Sequence, residues 1–338
     1  MRLHDDYIAM RAHRGFAPED PALNKVLKAL QQPSTWATLR ALATDWVTIG
    51  IAAGGSLWFF RDHGLSASTI LAYAVALTVI GSRQKGLENI THEGAHFSLS
   101  SNPKINDWIV RWLSGIWIAP GYNVKSQRKS HVANHHGHFG DPQRDLEFYG
   151  YMDLGLGTLP SASRARSLRI LFMAFLRKTW WRLNTDFGSF WSIRGVVTLA
   201  ASAVLFYFGL LLPVLMYWFV PLLVVYLPMR YLAEVSEHVG LGFSTEFGTT
   251  RNKLGWFQEY IMHPHGDGYH IVHHLYPRIP HQNLARAHRL LMTDSVYARA
   301  NHCHGLLIAW KGPTTLGQMT TSGRPAVADL HGRIPLPG

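Results

Sequence analysis

Cysteine is almost missing from this chain. The single residue, Cys303, excludes an internal disulfide framework, a Cys-x-x-Cys redox pair and iron–sulfur ligation by this chain alone. Acidic residues are also few: 21 Asp and Glu stand against 32 Lys and Arg, a net charge of +11. From Gly195 to Met229 there is no Asp, Glu, Lys, Arg or His for 35 residues. A helix needs about 20 apolar residues to cross a bilayer, so this run is too long for one crossing and suits two tight ones. Gly209 and Pro213 mark the expected bend.

Two shorter apolar runs lie upstream, Trp46 to Phe60 and Leu65 to Gly81, with Arg61-Asp62-His63-Gly64 as a turn between them. The expected fold is an all-α integral membrane protein. Its four transmembrane helices form two hairpins, at about 44–60, 65–82, 195–212 and 213–230, and carry a cytoplasmic His-rich helical cap. Residues 1–43 read as a cytoplasmic N-terminal segment, 44–291 as the membrane domain and 292–338 as a C-terminal cytoplasmic tail. The first 40 residues are polar and include Pro18-Glu19-Asp20-Pro21, unlike a cleavable signal peptide. With two hairpins, every Lys and Arg except Arg61 falls on the face that carries both termini. The positive-inside rule makes that face cytoplasmic. The basic charge thus reads as a topology signal rather than a nucleic-acid footprint, and no RNA-binding or helix-turn-helix pattern accompanies it. Trp108 to Ile118 and Leu168 to Leu176 are too short to span and suit interfacial helices or amphipathic helices packed on the cap.

Histidine is abundant, at 20 residues. Three clusters have metal-ligand spacing: His92 and His96; His131, His135 and His136; His270, His273 and His274. On a helix, positions i and i+4 share a face, so each cluster is expected to aim two or three imidazoles at one point. Glu234 and His238, again i and i+4, end the fourth expected span. The segment His92-Glu93-Gly94-Ala95-His96 also matches the zinc-protease pattern His-Glu-x-x-His, with Glu93 as general base. The ligand count separates the readings. Nine candidate imidazoles are too many for one catalytic zinc, which takes three protein ligands. They fit two ions of higher coordination number. Imidazole suits iron, zinc, copper and nickel alike, and the count favours a pair of irons.

In order and spacing, His92-x-x-x-His96, His131-x-x-x-His135-His136 and His270-x-x-His273-His274 resemble the three histidine boxes of the membrane fatty acid desaturase and hydroxylase family. Tyr269 to Pro280 looks like the third box with its usual continuation, and Ala233-x-x-x-Glu237-His238-x-Gly240 is similar to the segment holding an extra ligand. The similarity runs from about Trp46 to Leu291. It implies four transmembrane helices under a cytoplasmic dimetal domain, two non-haem irons held by the nine histidines, and O2 as co-substrate. It further implies an external electron donor of ferredoxin, rubredoxin or cytochrome b5 type. The implied reaction is desaturation or hydroxylation of an unactivated C–H position in a fatty acyl lipid or related small molecule, and the implied location is a bacterial inner membrane. Glu234, Glu93, Glu237, Asp145 and Asp267 are candidate further ligands or partners of the ligand imidazoles, as are Glu88 and Asp141. Two features depart from the family pattern: Glu234 stands where many members have Asn, and His263-Pro264-His265-Gly266-Asp267-Gly268 stands where many have Asn before the third box. The alternatives are an intramembrane zinc metalloprotease using His92, Glu93 and His96, an oxidase of a small amino-acid-derived metabolite, and a His-rich metal carrier. His138 and His265 lie near the clusters. His281, His288, Arg286 and Arg289 share a helix that reads as a basic surface or a donor-docking face.

Overall fold

The computed structural model describes residues 18, 20–141, 143–187, 193–241, 246–309 and 311–320. The expected segments 1–43 and 292–338 therefore lie partly outside the described residues, as do His4, His13 and His331.

The chain is overwhelmingly helical. Helix α1 (Pro21–Ala29) starts on an Asp20 cap whose carboxylate accepts the Ala22 amide. Helices α2 (Thr35–His63) and α3 (Ala67–Ala95) form a hairpin, each with a serine N-cap at Ser34 and Ser66. Gly64, at φ 60°, makes the turn in a left-handed conformation that side chains resist. Both helices run farther than their apolar stretches. The α3 helix carries the chain well past Gly81 and holds His92 in its last turn, with His96 as its C-cap.

Helix α4 (Pro103–Ile109) continues through a wide turn, Val110–Gly115, to Ile118 and leaves Trp108, Trp112 and Trp117 exposed. Helix α5 (Val124–Gln127) runs into a π-helical segment, Arg128–His136, that contains the second histidine cluster. Next come α6 (Leu146–Met152) and α7 (Arg164–Phe187). At 24 residues, α7 is much longer than the Leu168–Leu176 run that announced it.

Helix α8 (Ile193–Tyr207) and the long helix α9 (Leu211–His238) make the second hairpin. Gly209, at φ 67°, lies in the bend. Pro213 is the third residue of α9, so the expected boundary at 212/213 is two residues late; proline tolerates a first turn because its missing N–H has no partner there anyway. Among the described residues, α9 is the one helix both long and apolar enough to cross a membrane, by length and composition.

The remaining elements close over the ends of α3 and α9 that carry His92 and His238. Strand β1 (Asn252–Leu254) pairs in parallel with β2 (His302–His304). Helix α10 (His270–Leu275) carries the third cluster and α11 (His281–Leu291) follows it. Leu23 and Leu27 of α1 pack with Ile271, Val272, Leu284 and Tyr297 in one buried cluster. The chain beyond residue 291 is not a loose tail as far as residue 320. Arg251, fully buried, donates to the carbonyls of Ser236 and Val239 at 2.7 Å and to Gln318 Oε1 at 3.1 Å. That guanidinium caps the end of α9 and ties helix α12 (Thr315–Thr320) to it.

Candidate metal centre

The nine imidazoles of the sequence motifs come together, but not cluster by cluster. One group contains His92, His96, His131 and His273; the second contains His135, His238 and His274; and His270 joins the second through His238 and Glu237. His136 Nε2 lies 3.1 Å from both His131 Nε2 and His273 Nε2, so it belongs with the first.

The second and third clusters are therefore split between the groups. In the π-helical segment, side chains at i and i+5 align. His131 and His136 meet there, and His135 is turned to the other group. The expectation that His131 and His135 share one point assumed the tighter α-helical turn. In α10 the ordinary spacing holds: His270 and His274 meet at 3.1 Å, and His273, one position off, faces the first group at 3.0 Å from His92 Nε2.

The backs of the rings fix which nitrogen faces inward. His238 Nδ1 lies 2.8 Å from the carbonyl of Thr249. A carbonyl cannot donate, so Nδ1 carries the proton and Nε2 keeps its lone pair. His135 Nδ1 donates to Asp145 Oδ1 at 3.0 Å, and Asp145 is held in turn by the amides of Gly140 and Phe148. His131 Nδ1 donates to Glu147 at 3.2 Å. Each contact is the outer partner that a metal-bound imidazole needs.

Burial, followed by mutual repulsion, holds His92, His96, His136, His238, His270 and His274 well below the usual imidazole range and brings His273 to about 3. Burial also opposes charge on His135, but the Asp145 carboxylate outweighs it and raises the ring to about 9. Neighbouring Nε2 atoms lie 3.0–3.3 Å apart, close enough to share a proton or to surround a cation. His96 Nε2 is buried with no hydrogen-bond partner. Clustered imidazoles, outer carboxylates and an orphaned nitrogen fit two metal ions.

The candidate carboxylates divide. Glu237 reaches the second group, 3.6 Å from His270 Nε2, while Lys253 holds its other oxygen at 3.2 Å. Asp145 backs His135. Glu93 Oε2 accepts the Ser98 hydroxyl at 2.8 Å and the His281 amide at 3.1 Å, and burial raises this carboxyl to about 8. Asp267 pairs with His263 at 2.9 Å and Lys85 at 3.4 Å. Glu234 is absent from both groups; its oxygens are taken by Arg182, Arg230 and the Tyr151 hydroxyl. Glu88 pairs with Arg230 and Lys85. His265, in a left-handed conformation at φ 62°, bonds Asp45 at 2.7 Å, and His138 contacts Arg144. His281 is buried and His288 bonds the Tyr297 hydroxyl at 2.8 Å, so only Arg286 and Arg289 of the expected docking face are exposed.

Residues 68–305 match the fatty acid desaturase family. The chain belongs to the fatty acid desaturase family. The matched region holds all nine imidazoles and their outer partners. A dihydrorhizobitoxine desaturase from Bradyrhizobium elkanii is 28% identical over 325 residues, covering 82% of this chain and 89% of that protein. The protein is thus an oxidoreductase of desaturase type. Within this desaturase, sequence reasoning missed Glu147 and the Thr249 carbonyl. Glu147 lies 16 residues after His131 with no spacing rule to tie them. Asp145 was visible only as one of two aspartates, with Asp141, that follow the second cluster.

Proposed function

We propose that this protein is an O2-dependent membrane desaturase whose nine histidines hold two non-haem irons. The carrying observation is the convergence of nine imidazoles in two groups, with acceptors behind His131, His135 and His238. The irons would supply O2 activation, which protein side chains cannot. O2 takes two electrons from the substrate, as two C–H bonds give way to an alkene, and two from an external donor of ferredoxin, rubredoxin or cytochrome b5 type; it leaves as two waters.

The protein's own part is positional. Asp145, Glu147 and the Thr249 carbonyl hold imidazole protons on Nδ1. Burial keeps the remaining rings neutral and limits water at the centre, which protects a reactive oxidant from side reactions. The substrate is a fatty acyl lipid or a related small molecule, and the relative named for dihydrorhizobitoxine supports the second.

The same reading places the α2–α3 and α8–α9 hairpins across a bacterial inner membrane, with the termini and the metal centre cytoplasmic. Val47, Ile51, Trp58, Ile70, Leu71 and Val75 on the first hairpin, and Val204, Phe206 and Leu212 on the second, are exposed apolar side chains that a bilayer would cover. The zinc-protease reading lacks its base: Glu93 is engaged by Ser98 and the His281 amide, and His131 and His273 join His92 and His96.

Metal analysis of the purified full chain tests the proposal. Two irons per chain are expected, and one zinc would refute it. His273→Ala is expected to abolish oxidation of substrate, measured as loss of the dehydrogenated product by mass spectrometry.

A further inference from the structure

Helical spacing fixes what lies immediately membrane-ward of the metal centre. Glu88 is one turn before His92 on α3, and Glu234 one turn before His238 on α9, so both carboxylates lie about 5.4 Å below the ligands on the same faces. Between them sits a charged network. Arg230 Nε lies 2.6 Å from Glu88 Oε1 and donates to Glu234 Oε1 at 3.0 Å. Arg182, from α7, lies 2.5 Å from both Glu234 oxygens. Lys85 meets Glu88 Oε2 at 3.2 Å. Tyr151 donates to Glu234, and Lys178 stacks 4.4 Å over the Tyr151 ring. Tyr226 accepts from Arg230 at 3.1 Å.

Lys85 is buried, whereas Arg182, Glu88, Arg230 and Glu234 keep 11%, 14%, 18% and 20% of their side chains accessible. An acyl chain approaching the irons from the spans requires apolar walls, because it strips water from charged groups and offers no polar partner in return, at a cost of several kcal/mol. A ligand with ionic groups of its own loses less. The planar guanidinium fork matches a carboxylate, and a glutamate matches an ammonium.

We propose that this network is the substrate-recognition site, and that the substrate is a small zwitterion with a carboxylate and an ammonium group, oxidised within a few bonds of its charged end. Arg182 and Arg230 take the carboxylate; Glu88 and Glu234 take the ammonium. The ion pairs seen here are the resting arrangement that the ligand exchanges into. One helical turn between the network and the ligand imidazoles sets the reach from the charged end to the reacting carbons. The inference rests on the diiron desaturase reading for its chemistry but not for its binding.

The test uses the iron-loaded full chain in detergent or nanodiscs. Ligand-induced shifts of the melting temperature are read with straight-chain α-amino acids from norvaline to 2-aminooctanoate. Hexanoic acid, hexylamine and oleoyl phosphatidylcholine are the comparisons. Members of the amino-acid series are expected to stabilise the protein more than the acid or the amine alone. Arg182→Gln is expected to weaken that binding about tenfold or more, as loss of a charge-assisted contact would, with Arg182→Lys intermediate and iron content unchanged in both. Equal shifts with hexanoic acid, a shift with the phospholipid alone, or binding indifferent to Arg182→Gln would overturn the proposal. Arg182-dependent binding with no dehydrogenated product under O2 and reductant would leave recognition standing and sink the diiron desaturase reading. Dehydrogenation of the phospholipid acyl chain without amino-acid binding would do the reverse.

Discussion

Glu147 and Asp145 show how a residue can matter without touching a metal. Each accepts the Nδ1 proton of one imidazole and so aims its Nε2. Outer partners of this kind typically contribute 10–100-fold in metal affinity. Asp145→Asn and Glu147→Gln are therefore expected to lower iron affinity by about that factor, measured by iron retention during titration with a chelator. Proton linkage gives a second expectation. The seven imidazoles held below their usual range stay neutral in the folded chain, whereas the unfolded chain protonates them near pH 6.5. The unfolded state then binds more protons, so the metal-free protein loses stability as pH falls below about 6.5. His135, raised to about 9, contributes in the opposite sense: its stabilisation is complete below about 6.5 and fades as pH rises through 9. Melting temperatures of metal-depleted protein across this range are expected to fall steeply on the acid side and gently on the alkaline side.

At the scale of elements, α3 is the central post of the fold. It packs on α2, on α9 and on the wide turn after α4, and glycines let it come close. A Cβ on Gly81 would lie 2.5 Å from Val225 Cβ and Cγ1, and one on Gly86 would lie 2.7 Å from Asp45 Oδ2. Val225 is β-branched and cannot swing aside. Gly81→Ala is expected to destabilise the protein by about 1–3 kcal/mol, the usual cost of overpacking, seen as a lower melting temperature. Gly86→Ala would press on the carboxylate that Arg83 and His265 hold, and so on the loop preceding α10.

At the scale of the whole molecule, two hairpins bring four separated stretches of chain to one end of the bundle. That arrangement carries a topological expectation. Cys303 is buried, which keeps background labelling low. A cysteine at His63→Cys, the last residue of α2 before the first hairpin's turn, is expected to react with a membrane-impermeant maleimide on whole cells. One at Ser163→Cys, before α7, is expected to react only after lysis. Labelling of both from outside would contradict the cytoplasmic assignment of the centre.

The sequence by itself determined the helical class, the two hairpins and the nine imidazoles, because apolar run length and i, i+4 spacing are local properties of a chain. The match to the desaturase family, over residues 68–305, covers the nine imidazoles and the second hairpin. Several matters waited for the fold. The π-helical winding of Arg128–His136 separated His135 from His131, and a wider turn leaves no mark in spacing. The outer partner Glu147 lies far enough along the chain that only the packing of α6 against the second cluster could supply it. Glu234 read as a candidate ligand because it sits at i−4 from His238, yet Arg182, from a different helix, draws it into the charged network below. Covalent geometry reaches across one helical turn. Which charge meets which across the bundle is decided only when the helices pack.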